Sequence, residues 1–293
     1  MKKLAMATLA VGLLASSLPL VAQDDGARPA PNVLQIFREV VKPGRATAHE
    51  KVEIGWPKAF RASKNSPRYI GMTSITGPSE AWFVSGYPSY EAWEKQSKAE
   101  EADPVLSAEQ SRLAAADGEL LENVRSITAR FREEMSHRPP LNIGSYRYMN
   151  VVTVRVRPGM QGKFTEMRKM IKAAHDKAGL KDYYSIFEVQ SGMPGPTYMI
   201  FIPMKSLKEA DEAGPLHSSP AYFEALGGEE GQKKMSELAS AAVLNNESAV
   251  FAFNPRISVP PPEYALADAE YWNPKPVLAT APKAKTTATA KNP

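Results

Sequence analysis

An internal repeat is the feature that most constrains the fold of this chain. The segment Val41-Lys42-Pro43-Gly44 recurs 115 positions later as Val156-Arg157-Pro158-Gly159. At the same offset Ala59 matches Ala174, Tyr69 matches Tyr184, Gly77 matches Gly192 and Pro88 matches Pro203; a second offset of 122 links Ser126 with Ser248 and Phe131 with Phe253. The matches fall at turns and strand ends, where backbone geometry restricts the residue type. The sequence therefore predicts two copies of one domain.

The sequences of the two copies predict the same order of strands and helices. In the first, the apolar run from Val33 to Val41 predicts a strand, and a helix follows from Arg45 to about Ser63, kinked or divided by Pro57. The second copy runs from a strand at Tyr148 to Val156 to a last strand at Ser248 to Phe253. The order β-α-β-β-α-β predicts an α+β, ferredoxin-like fold with an antiparallel sheet and helices on one face.

These features resemble the dimeric α+β barrel superfamily, which includes antibiotic-biosynthesis monooxygenase, EthD-like and NIPSNAP-like domains. The resemblance rests on the strand-Pro-Gly-helix openings at Val40 to Gly44 and Arg155 to Gly159, and on the hairpins around Gly77 and Gly192. It implies that two ferredoxin-like repeats pair within one chain and close a barrel. We expect these repeats at residues 31–137 and 145–258, followed at 259–293 by a Pro-rich extended segment and a disordered tail.

The N-terminus predicts export. A short basic start, Met1-Lys2-Lys3, precedes an apolar stretch that Ser16, Ser17 and Pro19 interrupt, which is typical of a signal peptide over residues 1–22. We expect cleavage after Ala22, a periplasmic or secreted product and no stable membrane insertion afterwards. The chain has no cysteine, which excludes disulfides and thiolate metal sites.

The charge distribution argues against nucleic-acid binding. The formal net charge is +4, but six lysines lie in the signal segment and in the acid-free tail, so the body between them has a net charge of −2. A nucleic-acid surface requires basic residues gathered on the folded domain. We therefore expect no nucleic-acid partner.

Two of the four histidines interrupt an otherwise apolar helix face. His49 aligns with Phe164 in the repeat register, and His175 aligns with Phe60. An imidazole at such a position can be a catalytic base, a haem ligand or a pH-sensitive group, or a hydrogen-bonded histidine at the margin of a core. No two histidines have a metal-ligand spacing, so the sequence predicts no histidine-built metal site.

The monooxygenases and haem-degrading members of the superfamily use an asparagine on the first strand. The resemblance places that position at Phe37 and Val152, neither of which can hydrogen-bond a ligand. Asn150 lies on the same strand and Gln35 is its counterpart, so a shifted polar site is an alternative.

Polar and aromatic residues on the predicted strands indicate a ligand pocket inside the barrel. The candidate ligand-binding residues are Gln35, Arg38, Tyr69, Trp82, Asn150, Tyr184, Glu188 and Tyr198. The alternative is that the aromatic side chains fill the barrel and that Arg38 pairs with a carboxylate such as Glu39 or Glu188.

Three functions remain open on the sequence alone. The first is an exported protein that binds a small apolar or aromatic molecule in a barrel pocket. The second is an oxidative or isomerising barrel enzyme, monooxygenase-like and haem-dependent in one version, with His175 or His49 as the key group. The third is a structural or interaction protein without a ligand. The sequence identifies no cofactor.

Overall fold

The structure, a computed structural model, describes residues 30–137 and 142–274. The predicted signal peptide and the chain beyond residue 274 lie outside the described residues. Within them, no helix combines the length and apolarity needed to span a membrane.

Each repeat contains four strands, and the helices lie between them. The elements of the first repeat are β1 (Val33–Val41), α1 (Ala46–Glu53), α2 (Gly55–Ala62), β2 (Ile70–Ser74), β3 (Glu80–Tyr87), α3 (Tyr90–Glu101), α4 (Pro104–Gly118) and β4 (Leu121–Phe131). The elements of the second repeat are β5 (Tyr148–Val156), α5 (Gln161–Ala178), β6 (Ser185–Ser191), β7 (Thr197–Met204), α6 (Lys208–His217), α7 (Pro220–Leu226), α8 (Gly228–Ala242) and β8 (Val243–Phe253). Two short C-terminal helices follow, α9 (Pro262–Ala267) and α10 (Ala269–Trp272).

Local sequence signals set several helix boundaries. The Asp103 carboxylate accepts hydrogen bonds from the backbone N–H groups of Val105 and Leu106, with Pro104 at the first helical position of α4. Gly179 ends α5 in the left-handed conformation, with a φ of 65°. The predicted division of the first helix is also present, because α1 and α2 meet at Ile54, shortly before Pro57.

The eight strands form a closed barrel in the order β1-β3-β2-β8-β5-β7-β6-β4, with every neighbouring pair antiparallel. The two repeats join at their sheet edges, where β2 pairs with β8 and β4 pairs with β6. This confirms the predicted fold class, an α+β barrel of tandem ferredoxin-like repeats. Closure gives each of these eight strands a partner on both sides.

The repeat register holds at the level of individual residues. Strands β1 and β5 differ by 115 positions at both ends, and β4 and β8 differ by 122. The glycine pairs also match, since Gly44 and Gly159 have φ angles of 75° and 81°, and Gly77 and Gly192 have 79° and 87°. These positive angles explain why glycine is present in both copies.

The chain segments that follow β4 and β8 cross to the opposite repeat. After β4, the backbone N–H of His137 donates to the Tyr184 carbonyl at 2.9 Å, just before β6. After β8, the backbone N–H of Tyr69, just before β2, donates to the Val259 carbonyl at 2.9 Å. A serine precedes each bridge, and we call these two segments, 136–137 and 258–259, the crossing segments. Ser136 Oγ accepts from the Ile186 N–H, and Ser258 Oγ accepts from the Gly71 N–H, each at 2.9 Å.

The core has an inner and an outer layer. The inner layer fills the barrel with side chains such as Ile36, Met72 and Phe251, and the outer layer lies between the sheet and the helices. The C-terminal helices cover one end of the barrel. Trp272 is fully buried against the inner layer, and its indole N–H donates to the Gly144 carbonyl at 2.7 Å.

Candidate functional site

One end of the barrel contains a cavity of about 590 Å³. It lies where β1, β2, β5 and β6 begin and β3, β7 and β8 end, beneath the C-terminal helices. Its wall is mainly apolar and comes from both repeats, including Leu34, Ile70, Met72, Val84, Met149, Phe187, Phe201 and Phe253. The volume is within the range of small-molecule binding sites.

A few polar residues supplement this apolar wall. They come from the strand ends, the crossing segment after β4 and the start of α9, and include Asn32, Arg68, His137, Tyr183, Ser185 and Glu263. The combination of an apolar wall with a small number of polar groups is typical of pockets for small organic molecules.

The opposite end of the barrel is filled by a polar network. Arg38 donates two hydrogen bonds to the Glu80 carboxylate, at 2.9 and 2.6 Å, and the Trp82 indole N–H donates to Glu80 at 2.8 Å. The Trp82 ring also packs on Phe251, with ring centroids 4.9 Å apart. Arg38 therefore does pair with a carboxylate, but the partner is Glu80, because side-chain alternation directs Glu39 and Glu188 to the outer face of the barrel.

Among the ten residues suggested by the sequence, Tyr69 is the one that lines the cavity. Arg38 and Trp82 face the barrel interior away from it. By alternation the other strand residues lie on the outer face: Gln35 is half-buried there, and Asn150 accepts a hydrogen bond from Ser248 at 2.8 Å. Glu188 pairs with Arg132 and accepts from the Tyr198 hydroxyl at 3.4 Å.

The remaining aromatic candidates pack beneath the helices. Tyr198 packs against Phe164 in a tilted arrangement, with ring centroids 4.5 Å apart. Tyr184 contacts the edge of His175 at 5.3 Å and the Arg168 guanidinium at 4.9 Å. Burial raises the pKa of Tyr184 to about 12, so its hydroxyl stays protonated at neutral pH.

Three histidines and an aspartate gather next to the cavity, three of them from the second repeat and His137 from the crossing segment of the first. We call His137, His175, Asp182 and His217 the histidine cluster. His175 Nε2 lies 3.0 Å from His217 Nε2 and 3.3 Å from Asp182 Oδ2. The ring centroid of His137, which lines the cavity, is 5.1 Å from that of His175. The cavity wall is thus in contact with a chain of titratable groups.

The hydrogen bonds of this cluster define proton positions. His175 Nδ1 lies 2.7 Å from the Ile171 carbonyl oxygen and must donate to it, so its Nε2 is the atom that contacts His217 and Asp182. Burial lowers the pKa of His137, which favours the neutral ring. Burial opposes ionisation of Asp182, but the hydrogen bond and charge of His175 hold its pKa below the usual value.

The first repeat carries a different group of buried polar residues, which surrounds His49. We call Glu39, His49, Glu53 and Asp117 the carboxylate cluster; the residues come from β1, α1 and α4. His49 Nε2 lies 3.0 Å from Glu39 Oε2, 3.4 Å from Asp117 Oδ1 and 4.0 Å from Glu53 Oε1. Burial and the neighbouring negative charges raise the pKa of Glu53 to about 10 and that of Asp117 to about 6.

Sequence reasoning identified His49 and His175 but missed their partners. Alignment of the two repeats contains the information that identifies these partners. His137 occupies the position of Val259, and Glu53 that of Arg168. Each polar cluster thus lies where the sister repeat has mostly apolar residues, and a residue-by-residue comparison of the repeats would have revealed both clusters.

The chain is similar in structure to several solved proteins. An anthrone oxidase-like protein superimposes with a TM-score of 0.51 and 14% identity, covering 76% of this chain and 91% of that one. A heme-binding protein from Thermus thermophilus gives a TM-score of 0.42 and 10% identity, over 79% and 94%. A mutant chlorite dismutase from Candidatus Nitrospira defluvii gives 0.44 and 10%, over 77% and 93%.

No family model matches the sequence, and no curated protein matches it either. At 14% identity, the similarity to the anthrone oxidase-like protein shows the fold alone.

Proposed function

We propose that the protein is exported and binds a small apolar or aromatic molecule in the barrel cavity. The observation that carries this proposal is the cavity of about 590 Å³ at the covered end of the barrel. Burial of an apolar ligand against Leu34, Met72 and Phe201 would supply affinity through the hydrophobic effect. The polar residues at the strand ends would orient the ligand.

A cavity-filling substitution tests the binding site. Val84 lines the cavity, so Val84→Phe places a ring in the space that the ligand needs. Val124 lies on β4 with 53% of its surface exposed, so Val124→Phe is a matched control with the same change outside the barrel. The probe is N-phenyl-1-naphthylamine, whose fluorescence rises in apolar surroundings.

We expect Val84→Phe to weaken probe binding by about tenfold or more, since about 1.4 kcal/mol of lost contacts suffices for that change. Val124→Phe should bind as the unaltered protein does. Equal binding by both variants, with melting temperatures unchanged, would reject the cavity as the site. Mass spectrometry of the mature N-terminus tests export separately, through the predicted cleavage after Ala22.

A barrel enzyme is the second candidate function, and the position of His137 favours it. This ring lines the cavity, is kept neutral by burial and contacts His175. A neutral imidazole beside a bound ligand can act as a general base, as an isomerising reaction requires.

Proton exchange tests the enzyme reading directly. Incubation of a carbonyl compound with an acidic C–H bond in D₂O should give His137-dependent deuterium incorporation, measured by NMR. His137→Val introduces the sister residue Val259, so the variant should keep the fold and lose exchange. Titration with haemin and measurement of a Soret band tests the haem-dependent version.

A further inference from the structure

The carboxylate cluster contains more acceptors than its own donors can satisfy. The side chains of His49, Glu53 and Asp117 are 4 to 5% exposed, and that of Glu39 is 12% exposed. Three carboxylate oxygens converge on His49 Nε2, which carries at most one proton. Glu39 is the one that takes this hydrogen bond, at 3.0 Å. The Trp56 side chain hydrogen-bonds the Glu53 carboxyl, but one oxygen of Glu53 and one of Asp117 still have no partner.

The two remaining carboxylates have oxygens without a hydrogen-bond partner. Oε1 of Glu53 and Oδ1 of Asp117 are fully buried and accept no hydrogen bond. Within residues 30–137 and 142–274, no lysine or arginine forms an ion pair with Glu39, Glu53 or Asp117. Buried charges in proteins are normally paired or coordinate a metal.

The sister repeat shows that the fold does not require these polar groups. The positions of Glu39, His49, Glu53 and Asp117 correspond to Val154, Phe164, Arg168 and Ala239. In the second repeat Phe164 is buried beneath the helix and packs against Tyr198. The first repeat therefore has four ionisable side chains where its copy has three apolar ones and a single cation.

We propose that the carboxylate cluster binds one divalent metal ion. The three carboxylate oxygens lie 3.0, 3.4 and 4.0 Å from His49 Nε2. Two ligand atoms of one tetrahedral Zn²⁺ ion are about 3.4 Å apart, which is within this range. The ion binds His49 Nε2 in place of its proton and satisfies the unpartnered oxygens of Glu53 and Asp117. Three carboxylates and one imidazole suit Zn²⁺, Mn²⁺ or Fe²⁺.

Metal binding by the full chain tests the site. The protein is stripped with EDTA, dialysed against Zn²⁺ or Mn²⁺, and analysed for bound metal and for its melting temperature. We expect one ion per chain and a melting temperature that rises with metal concentration, because the ion binds the folded state.

Matched variants assign the ion to the cluster. Glu53→Gln keeps the shape of the side chain, and Asp117→Ala introduces the sister residue. Each should weaken metal binding by at least about tenfold, which is the lower limit for loss of even an outer partner of a metal ligand. His175→Phe disrupts the histidine cluster, the other group in the described chain that could hold a metal, and should leave binding unchanged.

Three results would overturn the proposal. The first is that the unaltered protein binds neither Zn²⁺ nor Mn²⁺. The second is that the variants at Glu53 and Asp117 bind the metal as tightly as the unaltered protein does. The third is that His175→Phe loses the metal. If Asp117→Ala fails to fold, Glu53→Gln decides the question alone.

Discussion

Substitution of Glu53 by glutamine should stabilise the metal-free protein in a pH-dependent way. Burial, followed by the charges of Glu39 and Asp117, raises the pKa of Glu53 from 4.5 to about 10. The folded state therefore holds a proton that the unfolded chain releases above pH 4.5. The contribution of Glu53 to the free energy of unfolding is fully present below pH 4.5, and it is lost as the pH rises towards 10.

The size of the effect follows from this interval. At pH 7 the solution is 2.5 pH units above the unfolded value of 4.5, and each unit corresponds to about 1.4 kcal/mol. Glutamine cannot ionise, so Glu53→Gln should raise the free energy of unfolding by up to about 3 kcal/mol at pH 7 and by almost nothing at pH 4.

Urea denaturation in the presence of EDTA measures this difference, because EDTA keeps metal out of the cluster. The free energy of unfolding is compared at pH 4, 5.5, 7 and 8.5 for the unaltered protein, Glu53→Gln and the control Glu101→Gln. Glu101 is exposed on α3, so its variant should show no such trend. A gain for Glu53→Gln that does not change with pH, or a loss at pH 7, would refute a buried protonated carboxyl.

Three further predictions concern the crossing segments, the inner sheet face of the first repeat and the histidine cluster. Ser258→Ala leaves a buried backbone N–H group without its acceptor and should lower the free energy of unfolding, measured by urea denaturation, by about 1 to 3 kcal/mol. Ser136→Ala should lower it by the same amount. A difference above ~1 kcal/mol between the two variants would contradict the equivalence of the two serines. The isolated segment 31–137 should self-associate in size-exclusion chromatography, because its apolar inner sheet face lacks a partner; a soluble, folded monomer contradicts this. His175→Phe, which introduces the sister residue Phe60, should keep the melting temperature but weaken ligand binding; lower stability with unchanged binding would show a structural histidine.

Much of the fold could be predicted because the constraints on it are local and occur twice. The limits of β1 and β5 match those of the predicted strands. The start of β8 was placed too late, at Ser248, because Asn245, Asn246 and Glu247 are polar and exposed. They nevertheless extend the strand by pairing with Thr153 to Arg155 of β5, a contact distant in sequence.

The site was harder to predict, for a physical reason. The barrel strands are buried on both faces, so both alternating sets of residues are apolar and sequence alone does not show which set faces inward. Glu39 and Arg38 are neighbours in the chain, but they lie on opposite sides of the sheet. Glu39 belongs to the carboxylate cluster, and Arg38 belongs to the polar network with Glu80 inside the barrel. The carboxylate cluster also joins residues from β1, α1 and α4, which periodicity within one element cannot bring together.

The crossing segments set an order for folding during synthesis. Residues 136–137 of the first repeat can form their hydrogen bonds only after Tyr184 to Ile186 have been synthesised. The edge strand β2 can pair with β8 only after Phe251 to Phe253 have been synthesised. A ribosome must therefore complete almost the whole second repeat before the first can reach its final hydrogen bonding. Until then the nascent chain has two unpaired strand edges, β2 and β4. A chaperone or a translocation channel that holds the chain extended during this interval would protect it from pairing with other chains.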